Sequence, residues 1–247
     1  MINIVLPIAG RGSRFAEEGF KLPKPLINVH EKPMIEVVVN NIRPDREHRF
    51  IFVALKDHLD HLGMKETLNR IAPGCIIIPV TEVTQGAACT VLLAQRYIDN
   101  NDQLMIANSD QWVNIDINNY LSIMDDKNTD GLIMTMWADD PKWSFVGLCK
   151  DGNVNKVVEK EVISNEATVG IYNFRKGSDF VMAANQMIVK NLRVNNEFYV
   201  APAYNEMISN EAKISIYNIG KEYDGMYGMG IPSDLEKFVL NPVSKNI

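Results

Sequence analysis

The sequence predicts an α/β protein: a Rossmann-like, mostly parallel central sheet covered by helices on both faces, with a β-rich extension in its second half. Three observations predict it. Short apolar runs alternate with helix-period segments from residue 2 to residue 107, the pattern of strands buried on both faces. Polar segments at 10–14, 81–86 and 108–110 follow three of those runs. They therefore converge on the carboxyl rim of the sheet, where such sheets bind ligands. From about Gly131, closely spaced β-type runs replace the alternation.

The elements follow in order. Residues 2–8 are a continuous apolar run entering a Gly-rich turn, read as a buried strand. Pro33 suits the start of a helix over 34–42. Runs 50–55 and 75–80 are further strands, separated by an amphipathic helix over 57–71 that Pro73-Gly74 stops. A helix over 87–98 leads to a fourth strand at 104–107. In the second half, strands are expected at 131–138, 145–150, 154–159 and 167–174, with Asp151-Gly152 as a hairpin turn. Helices at 179–190 and 203–208, a late strand at 213–217 and a helix at 233–240 complete the chain. Ser233 is the expected N-cap of the last helix.

Composition bounds the function. The 247 residues are 46% hydrophobic, with no Ser/Gly/Pro-rich linker and no internal repeat, so one domain over 1–247 is expected. A net charge of −6 argues against a broad nucleic-acid or anionic-membrane surface. A small anionic substrate needs only a few basic residues in one cleft. Cys75, Cys89 and Cys149 match no zinc spacing, and their odd number suits a reducing cytoplasm. The run at 2–8 lacks the length and basic flank of an export signal, and no stretch approaches the ~20 apolar residues of a membrane span.

The chemistry is concentrated near the N-terminus. Ala9, Gly10, Arg11, Gly12, Ser13, Arg14 and Phe15 follow the first strand. Glycines there let backbone N–H groups approach phosphate oxygens. The segment is neither a dinucleotide fingerprint, because Phe15 stands at the third glycine, nor a P-loop, because no Gly-Lys-Ser/Thr follows. Gly10 and Gly12 alone read equally well as a ligand-free turn. Leu22-Pro23-Lys24-Pro25-Leu26 adds a lysine fixed between two prolines. Such a lysine is a point cation suited to charge developing in phosphoryl transfer.

Together, Ala-Gly-x-Gly-Ser-Arg-Phe and Pro-Lys-Pro-Leu resemble the N-terminal motif of the sugar-phosphate nucleotidyltransferases. Gln85-Gly86, Ser109-Asp110, Val158-Glu159-Lys160, Gly170-Ile171-Tyr172 and 230–235 continue the resemblance in the family's order. The family's fold is GT-A-like, with 1–130 as the nucleotide-binding half and 131–247 as the acceptor-binding half. The resemblance implies that Lys24 and Arg14 serve catalysis. Ala9, Gly10, Arg11, Gly12, Ser13, Thr81, Gln85 and Gly86 are then implied to bind nucleotide, and Glu159 and Lys160 the acceptor. It implies a Mg²⁺ ion on Asp110, a carboxylate that would share the ion with NTP phosphates and water. The family's second metal aspartate is replaced by Gly228, with Asp224 four residues earlier as the substitute considered.

The reaction implied is transfer of a nucleoside monophosphate from an NTP to a small phosphorylated acceptor, with pyrophosphate released. Overall likeness to a capsule-associated branch, including Trp143-Ser144 and 196–200, favours CTP as donor and phosphoglutamine as one acceptor. A hexose 1-phosphate with UTP, dTTP or CTP is the alternative. Two other classes stay open: a nucleotide-sugar-dependent glycosyltransferase, although Asn108-Ser109-Asp110-Gln111 lacks an Asp-x-Asp, and a non-catalytic NTP-binding regulatory domain. His58 and His61 read as surface residues, and Asp125-Asp126 and Asp139-Asp140 as solvated turns. No oligomeric state is legible.

Overall fold

Alternation along the first strand shows how the sheet divides the molecule. In β1 (Ile2–Ile8), Ile2, Ile4, Leu6 and Ile8 face one apolar layer and Val5 faces the other, as period-two side-chain geometry requires. The computed structural model describes residues 1–247.

The chain continues through α1 (Ser13–Glu17), the short hairpin β2 (Asn28–Val29) and β3 (Lys32–Pro33), α2 (Met34–Asn41) and β4 (His48–Leu55). Next come α3 (Lys56–His61), α4 (Met64–Ile71), β5 (Ile76–Val80), α5 (Ala87–Leu92), α6 (Gln95–Ile98) and β6 (Gln103–Ala107). Then follow β7 (Gln111–Val113), α7 (Ile117–Asp126), β8 (Gly131–Trp137), β9 (Ser144–Leu148), β10 (Val154–Glu159) and β11 (Glu166–Phe174). The last elements are α8 (Gly177–Val189), α9 (Ala203–Ser209), β12 (Ile214–Glu222), β13 (Gly225–Gly228) and α10 (Pro232–Leu240).

One sheet runs β5-β4-β1-β6-β11-β8-β12-β13-β7, with β9 and β10 branching from β11. Its first four strands are parallel. Their carboxyl ends therefore share one rim, where residues 9–14, 81–86 and 108–110 emerge. β11 enters antiparallel between β6 and β8. Helices α2, α4, α7 and α10 cover one face, and α5, α6, α8 and α9 the other. No helix is long and apolar enough to cross a membrane.

Several boundaries differ from the sequence expectation. The helix expected over 57–71 is two helices, because Gly63 turns left-handed at φ 68° between them. The helix over 87–98 likewise breaks after Leu92. Ser233 does not cap the last helix. Ile231 is the N-cap residue, Pro232 occupies the first turn, and no side chain caps it. Asp125-Asp126 closes α7, a helix whose buried Ile117, Tyr120, Leu121 and Met124 carry a plain helical period.

Candidate active site

Lys24 reaches the rim because its backbone is immobilised. Pro23 and Pro25 flank it, and the tight turn Lys24–Leu26 closes with Leu26 N donating to the Pro23 carbonyl at 2.8 Å. Pro25 and Leu26 are buried, which anchors the turn. A Cβ on residue 12 would lie 3.3 Å from Lys24 Cβ, so the glycine loop, with Gly12 at φ 62°, packs directly against the lysine stem. A side chain there would be both crowded and strained. The amides of Gly10, Arg11 and Gly12 donate to no other backbone group, leaving them free for an anion.

Asp110 follows β6 on the neighbouring strand end. Lys24 Nζ donates to its Oδ2 at 2.7 Å, across 86 positions of sequence, with both side chains about a fifth exposed. The Asp110 carbonyl accepts from Met229 N at 2.7 Å, and its Oδ2 lies over the backbone of Gly230, 2.9 Å from where a Cβ would stand. Gly228 pairs with Gln111 across β13 and β7. The carboxylate nearest Gly228 belongs to Asp234, whose Oδ2 is 3.8 Å from the Cβ position of residue 228. Asp224 is exposed in the turn before β13.

A cavity of about 290 Å³ opens beside this pair. It is lined by Arg14, Asp110, Gln111, Trp143, Glu159 and Tyr199, among others. Glu159 is buried, at 8% exposure, and accepts a hydrogen bond from Ser144 Oγ. Burial raises its pKa above the ordinary carboxylate range, and the Ser144 hydroxyl opposes the shift. Lys160 is exposed at φ 58°, with Nζ donating to Tyr199 Oη at 2.9 Å. Two polar atoms of the lining, Gln111 Oε1 and Trp143 Nε1, are buried without any partner. Orphaned buried polar groups are rare in folded proteins, and here both belong to residues of a cavity wall.

A second cavity of about 310 Å³ joins Arg11 and Thr81 with Leu55, Asp57, His58, Glu82 and Val83. His58, expected on the surface, is half-buried. Its Nδ1 has no partner, and desolvation lowers its pKa. Gln85 has an exposed side chain, and its carbonyl accepts from Phe198 N at 2.8 Å. Gly86 lies against the backbone of the same phenylalanine.

The structure therefore brings Lys24, Arg14, Asp110 and Glu159 to one cleft, and Arg11 and Thr81 to a second cavity. Gln111 was not singled out by sequence reasoning, although it adjoins the strand end at Asp110. Tyr199 and Asp234 lie in segments that carried the family resemblance, 196–200 and 230–235, but neither was given a role of its own. No group of three His, Cys, Asp or Glu side chains is arranged to hold a metal. The single carboxylate of Asp110 suits an ion that takes its remaining ligands from phosphate oxygens and water.

The bifunctional protein GlmU of Thermotoga sp. (strain RQ2) is 27% identical over 206 residues, covering 80% of this chain. The chain spans 42% of that relative's length. The nucleoside-diphosphate-sugar pyrophosphorylase of Vibrio cholerae RC9 superposes with a TM-score of 0.79 at 23% identity, over 96% of this chain and 100% of the other. The inositol-1-phosphate CTP transferase of T. maritima does so at 0.75 and 14%, over 98% and 93%. The sequence model of the nucleotidyl transferase family matches residues 3–207, and the chain belongs to that family of enzymes.

Proposed function

We propose that the protein transfers a nucleoside monophosphate from an NTP, with CTP favoured, to a small phosphorylated acceptor and releases pyrophosphate. The observation that carries this reading is the Lys24–Asp110 contact at 2.7 Å, beside the free amides of the glycine loop and within reach of a polar cavity.

A phosphate monoester has its second pKa near ~6, so the acceptor is largely dianionic at neutral pH. It needs no general base. It needs alignment and charge compensation between two anionic reactants. An oxygen of the acceptor phosphate forms the new bond to the α-phosphorus. The bond from that phosphorus to the bridging oxygen breaks, and pyrophosphate leaves with the electron pair. Ala9, Gly10, Arg11, Gly12 and Ser13 cradle the triphosphate with Arg14. Lys24 stabilises charge on the α-phosphate oxygens, and Lys160 aims the incoming phosphate. Thr81, Gln85 and Gly86 attend the nucleobase side. Asp110 would hold a Mg²⁺ ion, which would supply charge neutralisation for the transfer; Asp224, exposed in the turn before β13, is the weaker candidate beside it.

The buried Glu159 and the unpartnered Gln111 and Trp143 support an acceptor with a polar end able to donate and accept hydrogen bonds. Phosphoglutamine meets that description, and the CTP transferase among the similar folds is consistent with the donor. A hexose 1-phosphate with UTP or dTTP is the second reading, favoured by the likeness to a nucleoside-diphosphate-sugar pyrophosphorylase. Pyrophosphate release should be measured for four NTPs against phosphoglutamine, glucose 1-phosphate and phosphorylated amino alcohols. Nucleotide binding without pyrophosphate from any pair overturns the transferase reading.

A further inference from the structure

Lys160 directly follows β10 and has a left-handed backbone at φ 58°. Its amide donates to the Trp143 carbonyl at 3.0 Å, which fixes the backbone but not the long side chain. The ammonium forms no ion pair with any carboxylate. Its hydrogen-bond partner is Tyr199 Oη at 2.9 Å, and it stands 5.1 Å from the centroid of the same ring. A free lysine side chain samples many rotamers, so a cation that must meet one phosphate gains from such a tether.

Tyr199 is in turn delivered by a fitting built into the chain before it. Val194 and Glu197 exchange two backbone hydrogen bonds, at 3.0 and 2.9 Å, around Asn195 and Asn196, which have φ of 49° and 64°. Two successive left-handed residues between paired neighbours make a type I′ turn, and asparagine tolerates that region. The next residue, Phe198, is 2% exposed, with the Arg193 guanidinium 4.3 Å from its ring centroid. Its N–H donates to the Gln85 carbonyl at 2.8 Å, and its carbonyl accepts from Ala88 N at 3.0 Å. Between those two contacts lies Gly86 at φ 121°. A Cβ there would fall 2.5 Å from both Phe198 N and Phe198 O, so only glycine lets the two backbones meet.

We infer that Tyr199 is a positioning residue that holds the Lys160 ammonium at the edge of the acceptor cavity, and that segment 193–199 hangs from the nucleotide-side loop at Gly86 to put it there. The inference rests on Lys160 receiving the acceptor phosphate. It gives Gly86 a second task, since the loop on the nucleotide side also carries the acceptor clamp.

Two measurements test it. The first needs no substrate. Trace acetylation with acetic anhydride, mapped by mass spectrometry, should modify Lys160 roughly two- to tenfold faster in Tyr199→Phe than in the unaltered protein, the range of one hydrogen bond. Lys142 should be unaffected. Equal Lys160 rates in both proteins overturn the inference. The second is steady-state kinetics with CTP and phosphoglutamine, and with UTP and glucose 1-phosphate. Tyr199→Phe should raise the acceptor KM with little change in the NTP KM, and the effect should vanish in a Lys160→Ala background. A Tyr199→Phe effect that persists without Lys160 means Tyr199 acts on the acceptor directly, and the inference fails. An acceptor KM indifferent to Lys160→Ala defeats the assignment of Lys160 to the phosphate; the acetylation rates then decide the tether alone.

Discussion

Replacing Lys24 by methionine separates catalysis from stability. Methionine keeps an unbranched stem against Gly12 and removes only the ammonium. The Lys24–Asp110 pair is short but about a fifth exposed on both sides, so solvent screens it and its worth to folding is at most about 1 kcal/mol. For a chain of this length that is a Tm decrease of no more than about 2–4 °C. The transition state is different. Loss of one preorganised donor to a developing anion typically costs about 10²–10³ in rate, or ~2.7–4 kcal/mol. Single-turnover rapid quench should therefore show a loss of that size, while equilibrium NTP binding weakens by less than about tenfold. Scanning calorimetry on the same sample supplies the Tm. A near-normal single-turnover rate refutes the role given to Lys24. A rate loss matched by a collapse of Tm shows that the lysine serves the fold instead.

Three further outcomes are expected. EDTA should abolish pyrophosphate release and added Mg²⁺ restore it, whereas Asp110→Asn should stay inactive at any Mg²⁺ concentration; activity in chelator removes the metal from the reaction. Gly228→Asp brings its Cβ into ordinary contact with Asp234 Oδ2, at 3.8 Å and without a clash, and should lower the Mg²⁺ concentration for half-maximal activity several-fold by adding a second carboxylate near Asp110; a metal titration reads this directly. Glu159 has a folded pKa raised by burial. Its contribution to stability is therefore full below the ordinary carboxylate range and is lost as pH rises through the raised value. The Tm of Glu159→Gln relative to the unaltered protein should accordingly increase across that window, and a pH-independent difference refutes the buried titration.

The two halves of the chain were unequally legible. Strands β1, β4 and β6 announced themselves because each is an apolar run buried on both faces, and that burial is written in consecutive residues; β5 kept the same apolar run although it is only half-buried at the sheet edge. The helix α7 carried an equally plain period at Ile117, Tyr120, Leu121 and Met124 but was passed over beside its polar neighbours. The breaks at Gly63 and after Leu92 were not legible, because a single turn changes direction without changing the hydrophobic pattern. Nor was the N-terminus of α10, where Pro232 supplied the start that Ser233 was expected to cap.

By itself the sequence determined the parallel half of the sheet, the glycine loop at its rim and the stiff perch of Lys24, since periodicity, glycine freedom and proline constraint are all local properties. Only the tertiary structure decided that Lys24 touches Asp110, that Gln111 and Trp143 line a cavity without partners, and that Tyr199 tethers Lys160. Those facts depend on hydrogen bonds and burial between segments tens of residues apart. Nothing in the local pattern of either segment encodes which distant backbone will satisfy it.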